Sequence, residues 1–273
     1  MARKIDGMVV IITGASAGIG RAMAQAMHAR GAKLVLAARR LDVLEKLNSE
    51  LGHKHLCVKC DVSIERDCFD LIERTISRFN RIDTLVCNAG YGLVRRVHEA
   101  THDETDQLFK TNVYGTTNCI RAAVPHILKN EITDNWRGQL MLMSSAAARR
   151  GLPMLGGYAA TKASQLMLAE SARVELKQHR IAVTSVHPIG TESDFLVTAE
   201  SVSQFKINPK RRGRVRQTSE SVALKTIRAI EKPSRECWPF WPARYALALA
   251  SICPAFGDYV MGRQLKVMEK RQA

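Results

Sequence analysis

A phenol and an ammonium stand four residues apart in Tyr158-Ala159-Ala160-Thr161-Lys162, at the start of a long helical stretch. That separation sets both groups on one helix face, about one turn apart. A free phenol titrates near pH ~10, and a cation within about 4–6 Å lowers a neighbouring acid by about 1–3 pH units. The pair could therefore give or take a proton close to neutrality. The spacing alone also has a plainer reading, a tyrosine packed in a core beside a surface lysine.

A second constellation lies near the N-terminus. Thr13-Gly14-Ala15-Ser16-Ala17-Gly18-Ile19-Gly20 follows a short apolar run and leads directly into a helical pattern. Glycines there let the backbone turn sharply and approach a pyrophosphate, while the helix N-terminus offers free N–H groups and partial positive charge. Three residues separate Gly14 from Gly18, and no Lys-Ser or Lys-Thr follows Gly20, so the loop of nucleotide triphosphatases is excluded. The next apolar run ends Leu36-Ala37-Ala38-Arg39-Arg40. In dinucleotide folds an acidic residue at this point holds the adenine-ribose hydroxyls of NAD, whereas an arginine accepts the 2′-phosphate of NADP. With Ala38 in the acidic position and Arg39 and Arg40 after it, NADP is expected. A charge-assisted contact of about 1.5–3 kcal/mol corresponds to a preference of about tenfold to a hundredfold, whichever arginine makes it.

The elements that must hold these groups alternate. Strands are expected at Met8–Thr13, Lys33–Ala37, His55–Cys60, Asp83–Cys87, Gly138–Met143 and Arg180–His187. Between them fall helical stretches near Ile19–Arg30, Leu41–Leu51, Glu65–Phe79, Glu104–Lys129 and Tyr158–His179. Runs such as Val9-Val10-Ile11-Ile12 are apolar throughout, as parallel strands covered on both faces must be. The rhythm predicts one α/β domain, a Rossmann-like doubly wound parallel sheet. A further helix is expected at Glu220–Glu231, and an edge strand within Cys237–Pro242, where prolines are tolerated.

Taken together, these motifs resemble the short-chain dehydrogenase/reductase family over about residues 8–195. Thr13, Gly14, Gly18, Ile19 and Gly20 match its glycine motif. Asp61-Val62 resembles the pair that contacts adenine, and Asn88-Ala89-Gly90 the motif that supports the sheet beside the cofactor. Asn112 matches the helix asparagine of the catalytic tetrad, and Ser145, thirteen residues before Tyr158, has the family spacing and is preferred to Ser144. The resemblance implies that NADPH delivers hydride to a carbonyl carbon, Tyr158 donates a proton to its oxygen, and Ser145 hydrogen-bonds that oxygen. It also implies that Lys162 holds the nicotinamide ribose and lowers the tyrosine pKa, and that Asn112 with a water links Lys162 to solvent. The chain departs from the pattern at His187-Pro188-Ile189-Gly190-Thr191, where Ile189 replaces a glycine and leaves the backbone path open. Pro188 and Thr191 are carried over as coenzyme contacts, and His187 reads as a strand-end residue.

Composition bounds the rest. The chain has 273 residues, 46% of them hydrophobic, enough for a large core. A formal charge of +15 favours anionic ligands or surfaces. Seven scattered cysteines, with Cys57 and Cys60 on opposite faces of a strand, give neither a metal site nor a disulfide scaffold. The opening residues run into an apolar stretch too short for a signal peptide, so a cytoplasmic location is expected. Lys206, Lys210, Arg211, Arg212, Arg214 and Arg216 lie in a stretch, about 195–218, that the resemblance makes a substrate flap. No aromatic residue interrupts them, so nucleic acid is not expected as a partner.

Tyr245–Cys253, within a C-terminal extension of about 243–273, is apolar nearly all round and too short to span a bilayer. Burial inside the protein is expected, with a subunit interface or peripheral membrane contact through Arg263, Lys266, Lys270 and Arg271 as alternatives. The whole reads as one NADP-binding catalytic domain, 1–273, acting on a small carbonyl or alcohol, a hydrophobic ketone of lipid-like or steroid-like kind, as a homodimer or homotetramer. A carrier-protein-dependent 3-ketoacyl reductase and a non-catalytic NADP-sensing binding protein are the other readings.

Overall fold

Successive side chains of a strand point to opposite faces, and here both directions lead into core. The computed structural model describes residues 2–192 and 217–269. In β1 (Val9–Thr13), Val10 and Ile12 pack with Met23 and Met27 of α1 (Gly18–His28), while Ile11 joins Leu71 and Ile72 of α3 (Glu65–Phe79). The other strands are β2 (Lys33–Ala38), β3 (Leu56–Lys59), β4 (Thr84–Cys87), β5 (Gly138–Met143) and β6 (Ile181–Val186). All pair in parallel, with a short last strand, β9 (Glu236–Cys237), in the order β3-β2-β1-β4-β5-β6-β9. One face is covered by α1, α2 (Leu41–Glu50) and α7 (Ser219–Glu231), the other by α3, α5 (Gly115–Ile127) and α6 (Gly156–Glu175). The doubly wound single domain is as the apolar runs require, and its strand order reverses between β1 and β4, where ligands of such sheets bind.

Three local expectations change. The stretch expected as one helix over Glu104–Lys129 is α4 (His102–Phe109), a π-helical turn (Lys110–Tyr114) and α5. Thr101 opens α4 with a capping box, its hydroxyl accepting from the Glu104 amide at 3.2 Å while Glu104 accepts from the Thr101 amide at 3.1 Å. The edge strand lies at Glu236–Cys237, ahead of the prolines, and Pro242 begins α8 (Pro242–Ile252). Cys57 packs on the α1/α2 face and Cys60 on the α3/α5 face, so the two thiols are on opposite sides of the sheet, as expected.

The third change is at the C-terminus. Tyr245–Cys253 is not buried within the protein: no residue of α8 is fully buried, and α8 and α9 (Pro254–Glu269) lie over the sheet's C-terminal end with one side to solvent. The flap expected at about 195–218 lies outside the described residues except for Gln217–Thr218, strand β8, which pairs with β7 (Thr191–Glu192). Lys206–Arg216 lies outside them altogether.

Candidate active site

Above the C-terminal ends of the central strands is a cavity of about 840 Å³. At one end it meets the turn after β1. Gly14 has φ +68°, and a Cβ there would lie 2.9 Å from Ala89 Cα, so neither the backbone nor the neighbouring loop admits a side chain. The Asn88 amide nitrogen and Ala89 N–H explain that closeness. Asn88 Nδ2 donates to Thr13 O at 2.9 Å, and the Asn88 and Ala89 backbone N–H groups donate to Thr13 Oγ1 at 3.0 and 3.1 Å, binding the β4 loop to the β1 turn. Gly20 does not reach the cavity; a Cβ on it would sit 2.4 Å from the Gly14 carbonyl oxygen, so its smallness lets α1 close on its own loop.

The N-terminus of α1 has no side-chain cap and no acidic residue in its first turn, leaving donors and partial positive charge at the wall. Arg39 and Arg40 line the same end, Arg40 donating to Ser16 Oγ at 3.4 Å, and Ala38 ends β2 with no carboxylate. Ser16, Gly18, Ile19, Asp61, Val62, Asn88, Ala89 and Gly90 complete this half. Asp61 turns its carboxylate to Ser63, accepting from N–H at 3.0 Å and Oγ at 2.7 Å.

The other half holds the titratable groups. Tyr158 stands in the first turn of α6 and hydrogen-bonds Ser145. Ser145 caps a 3-10 turn (Ala146–Arg149), its oxygen accepting from the Ala147 amide at 3.1 Å. Ser144, by contrast, donates its hydroxyl to the Lys162 carbonyl oxygen at 2.8 Å, on the α6 backbone. Lys162 is buried one turn below Tyr158, its Nζ 5.7 Å from the ring centroid and donating to Met143 O at 2.7 Å and Gln165 Oε1 at 2.8 Å.

Asn112 lies behind the wall on the π-helical turn. Its side chain accepts from Tyr91 N–H at 3.0 Å and donates to Tyr91 O at 2.9 Å and Thr161 Oγ1 at 3.0 Å. The π turn diverts the Asn112 carbonyl to side chains: it accepts from Thr116 Oγ1 at 2.9 Å and Gln165 Nε2 at 2.7 Å. The structure thus brings Ser145, Tyr158 and Lys162 to one cavity and joins Asn112 to Lys162 through Gln165. Burial sets the titrations. It pushes the Tyr158 phenol up to about 12, the Ser145 hydrogen bond acting the other way, and pulls Lys162 down to about 7. The expected lowering of the tyrosine by the lysine charge is not found: burial raises the phenol, and at Lys162 it disfavours the very charge that would lower it.

Sequence reasoning missed three partners. Gln165 follows Lys162 by three residues and Tyr158 by seven, so it lies on the same helix stripe, and a buried glutamine there was the available signal. Tyr91, just past Asn88-Ala89-Gly90, gives Asn112 its backbone and lines the cavity. His187 is buried, stacked on Trp238 at 4.4 Å, with Nδ1 3.2 Å from Ser145 O, and so supports the serine loop from behind. Pro188 O accepts from Ala146 N–H at 2.9 Å, Thr191 Oγ1 donates to Ile189 O at 2.9 Å, and Ile189 needs no left-handed φ. Replacing glycine at 189 is therefore accommodated. The far end of the cavity is apolar: Leu152, Leu155, Ala243, Ala246, Leu247 and Met261.

A family profile described as short chain dehydrogenase matches residues 8–203. The chain belongs to that family. An uncharacterized oxidoreductase, YxnA, of Bacillus subtilis (strain 168) is 31% identical over 264 residues, 95% of this chain and 72% of its own length. An 11-beta-hydroxysteroid dehydrogenase-like protein, 4A, of Arabidopsis thaliana is 36% identical over 190 residues, 68% of this chain and 61% of the plant protein, which is thus substantially longer than the matched part. Among solved structures, a short chain dehydrogenase/reductase of Burkholderia phymatum in complex with NAD superposes with a TM-score of 0.81 at 22% identity, over 93% of this chain and 96% of that one. The family brings an oxidoreductase with a nicotinamide-dinucleotide site, and the uncapped α1 terminus, the two arginines and the Tyr158 end of the cavity fit such a group.

Proposed function

We propose that this short-chain dehydrogenase is an NADP(H)-dependent oxidoreductase acting on an apolar ketone and the corresponding secondary alcohol, with reduction as the working direction. The observation that carries the reading is the meeting of the Tyr158–Ser145 hydrogen bond with buried Lys162 at the point where the cavity passes from its dinucleotide end to its apolar end. NADPH, when bound, supplies the hydride that attaches to the carbonyl carbon. Ser145 Oγ donates a hydrogen bond to the carbonyl oxygen, and the Tyr158 hydroxyl gives that oxygen its proton, so that C=O becomes CH–OH and the phenol becomes phenolate. General acid catalysis of this kind contributes about 10²–10⁴-fold. Lys162 holds the ribose hydroxyls and returns a proton toward the phenolate. Asn112 is a positioning residue, tying Tyr91 and Thr161 directly and Lys162 through Gln165.

Arg39 and Arg40, with no carboxylate at the end of β2, support NADP over NAD. The apolar lining from Leu152 to Met261 supports a hydrophobic substrate, in keeping with the hydroxysteroid-type name of the plant relative. Exposed Met167 and Val174 on α6 support a homodimer or homotetramer packed through α5 and α6. No helix among the described residues is long and apolar enough to cross a membrane, and a cytoplasmic location fits the reading.

The test is a panel of apolar ketones and alcohols with NADPH and NADH, run beside Arg39→Ala. NADPH should be consumed only with ketone present and preferred at least about tenfold, the preference shrinking in the variant by about tenfold to a hundredfold. Turnover of no carbonyl or alcohol with either coenzyme would overturn the reading. Equal losses for both coenzymes in Arg39→Ala would remove that arginine from phosphate recognition.

A further inference from the structure

The roof of the cavity is one helix thick. Ala243, Ala246 and Leu247 of α8 and Met261 of α9 line the cavity, and Leu265 packs against Val94 and Met154. An amphipathic pair of helices would be polar on the other side. This pair is not. From Trp241 at the N-cap of α8, Tyr245, Leu249 and Ile252 follow at spacings of four, four and three, which makes one outward stripe, and on α9 Phe256, Tyr259 and Val260 continue it. These seven side chains are between 39% and 81% exposed. Among the described residues the other exposed large apolar side chains, such as Ile64, Val97 and Leu224, form no stripe of this length, the pair Met167 and Val174 on α6 being two turns apart. The pair is held in place from below: Arg150 donates to Pro254 O at 3.0 Å and to Ala250 O at 3.4 Å and is ion-paired with Asp258. The aromatic stripe is therefore a built surface fixed over the site.

We propose that the outer stripe of α8 and α9 seats the chain on an anionic lipid bilayer, with the helices lying in the interface. The chemistry selects this occupant. Trp and Tyr, an apolar ring with a polar tip, suit the headgroup level. Arg263 and Lys266 stand exposed beside the stripe, Arg263 lying 5.9 Å from the Tyr259 ring centroid, while Arg244, also exposed, is ion-paired with Glu236 at 3.5 Å. The acid of this face, Asp258, is neutralised by Arg150. A second copy of the chain, docked by the same patch about a two-fold axis, would set these cations against their own counterparts, whereas anionic headgroups complement them, each basic residue contributing about fivefold to partitioning. A substrate dissolved in the bilayer would then need to pass only one layer of helix to reach Tyr158. That consequence rests on the apolar-substrate reading; the docking does not.

The test is flotation of the full chain, without coenzyme or substrate, on phosphatidylcholine vesicles with and without phosphatidylserine. Wild type should float with the phosphatidylserine vesicles and lose that binding as salt is raised. Tyr245→Ser/Leu249→Ser/Ile252→Ser should lose at least about tenfold in partitioning, and Arg263→Glu/Lys266→Glu as much again, while both keep the melting transition of the wild type. Should the apolar variant fail to fold, the charge-reversal pair, altered only at exposed positions, decides alone. Wild type remaining unbound with both vesicle types would overturn the proposal, as would a concentration-dependent dimer by sedimentation velocity that the apolar variant abolishes in a chain that does not float. Because no turnover is read, failure here leaves the oxidoreductase reading standing, and failure of the ketone panel leaves the docking standing.

Discussion

Two cations are buried in the described residues, at opposite ends of one sheet, and they are held in different ways. Arg3, below the N-terminal ends of the strands, donates to Gln139 Oε1 at 2.8 Å and Asp83 O at 3.0 Å, and the Asp83 carboxylate acts to raise its pKa against the lowering by burial. Lys162, at the C-terminal ends, has the neutral acceptors Met143 O and Gln165 Oε1, and burial acts on it unopposed. Arg3 sits in the field of a carboxylate whose own bonds go to Arg81 and Val9 N–H, whereas Lys162 has no carboxylate and is left able to lose its proton near neutrality, which suits the chemistry proposed for it. The price of the second arrangement is that Lys162 stabilises nothing by being charged.

The sharpest way to break this contrast is to remove each charge in turn. Lys162→Met should cost at least about a hundredfold in turnover, the scale of a lost acid–base partner, while Arg3→Met should keep turnover per folded molecule. Arg3→Met should instead lower the unfolding free energy by about 1–3 kcal/mol, because Gln139 and the Asp83 carbonyl are left without their buried donor. Both are read by initial rates and denaturant unfolding on the same preparations. Two variants that lost only stability, or only turnover, would erase the distinction.

The next effect is in pH. Lys162 should lose its proton as pH rises through about 7, so coenzyme affinity should weaken above that point. Tyr158, pushed up to about 12, stays protonated and leaves the reductive chemical step level through neutrality. For stability the sign is opposite to that of an ion pair. Between about 7 and the ordinary lysine value the unfolded chain holds a proton that the folded chain does not, so stability rises with pH across that window and the gain is absent below it. Isothermal titration and melting across pH 6–10, with Lys162→Met lacking both slopes, check this (the range is roughly the lysine window).

The smallest effect tests the bridge. Gln165→Leu removes one neutral acceptor from Lys162, so turnover should fall by about fivefold, the worth of one ordinary hydrogen bond, and the pH midpoint of coenzyme binding should move below about 7. Gln165→Glu should move it upward, since a carboxylate favours the ammonium. A lowered rate with an unmoved midpoint in both would mean that Gln165 supports the fold alone.

The contrast also bears on what sequence could reveal. The parallel strands were legible because burial on both faces makes them apolar throughout, Tyr158 and Lys162 because their types and four-residue spacing pair them on one helix face, and Ser145 and Asn112 through the family resemblance. Gln165 was not, since a glutamine on a helix has the same type and spacing whether it faces solvent or a buried ammonium. The π turn at Lys110–Tyr114 was hidden because its extra residue leaves the apolar pattern of a long helix nearly intact. The C-terminal helices were misjudged for a related reason. Apolarity all round says that a helix avoids water, and inside the protein it was expected to find its cover, whereas Trp241, Tyr245 and Ile252 stand outside.

The central claim, proton delivery by Tyr158 to a carbonyl that accepts hydride, is tested most directly by isotope transfer. A ketone identified in the panel is reduced with NADPH carrying deuterium at the transferring position of C4, with wild type and Tyr158→Phe compared by mass spectrometry of the alcohol. The account predicts one deuterium on the carbinol carbon with wild type, and alcohol formation slowed by about 10²–10⁴-fold in the variant. Alcohol formed without the label, or formed as fast by Tyr158→Phe as by wild type, would contradict it.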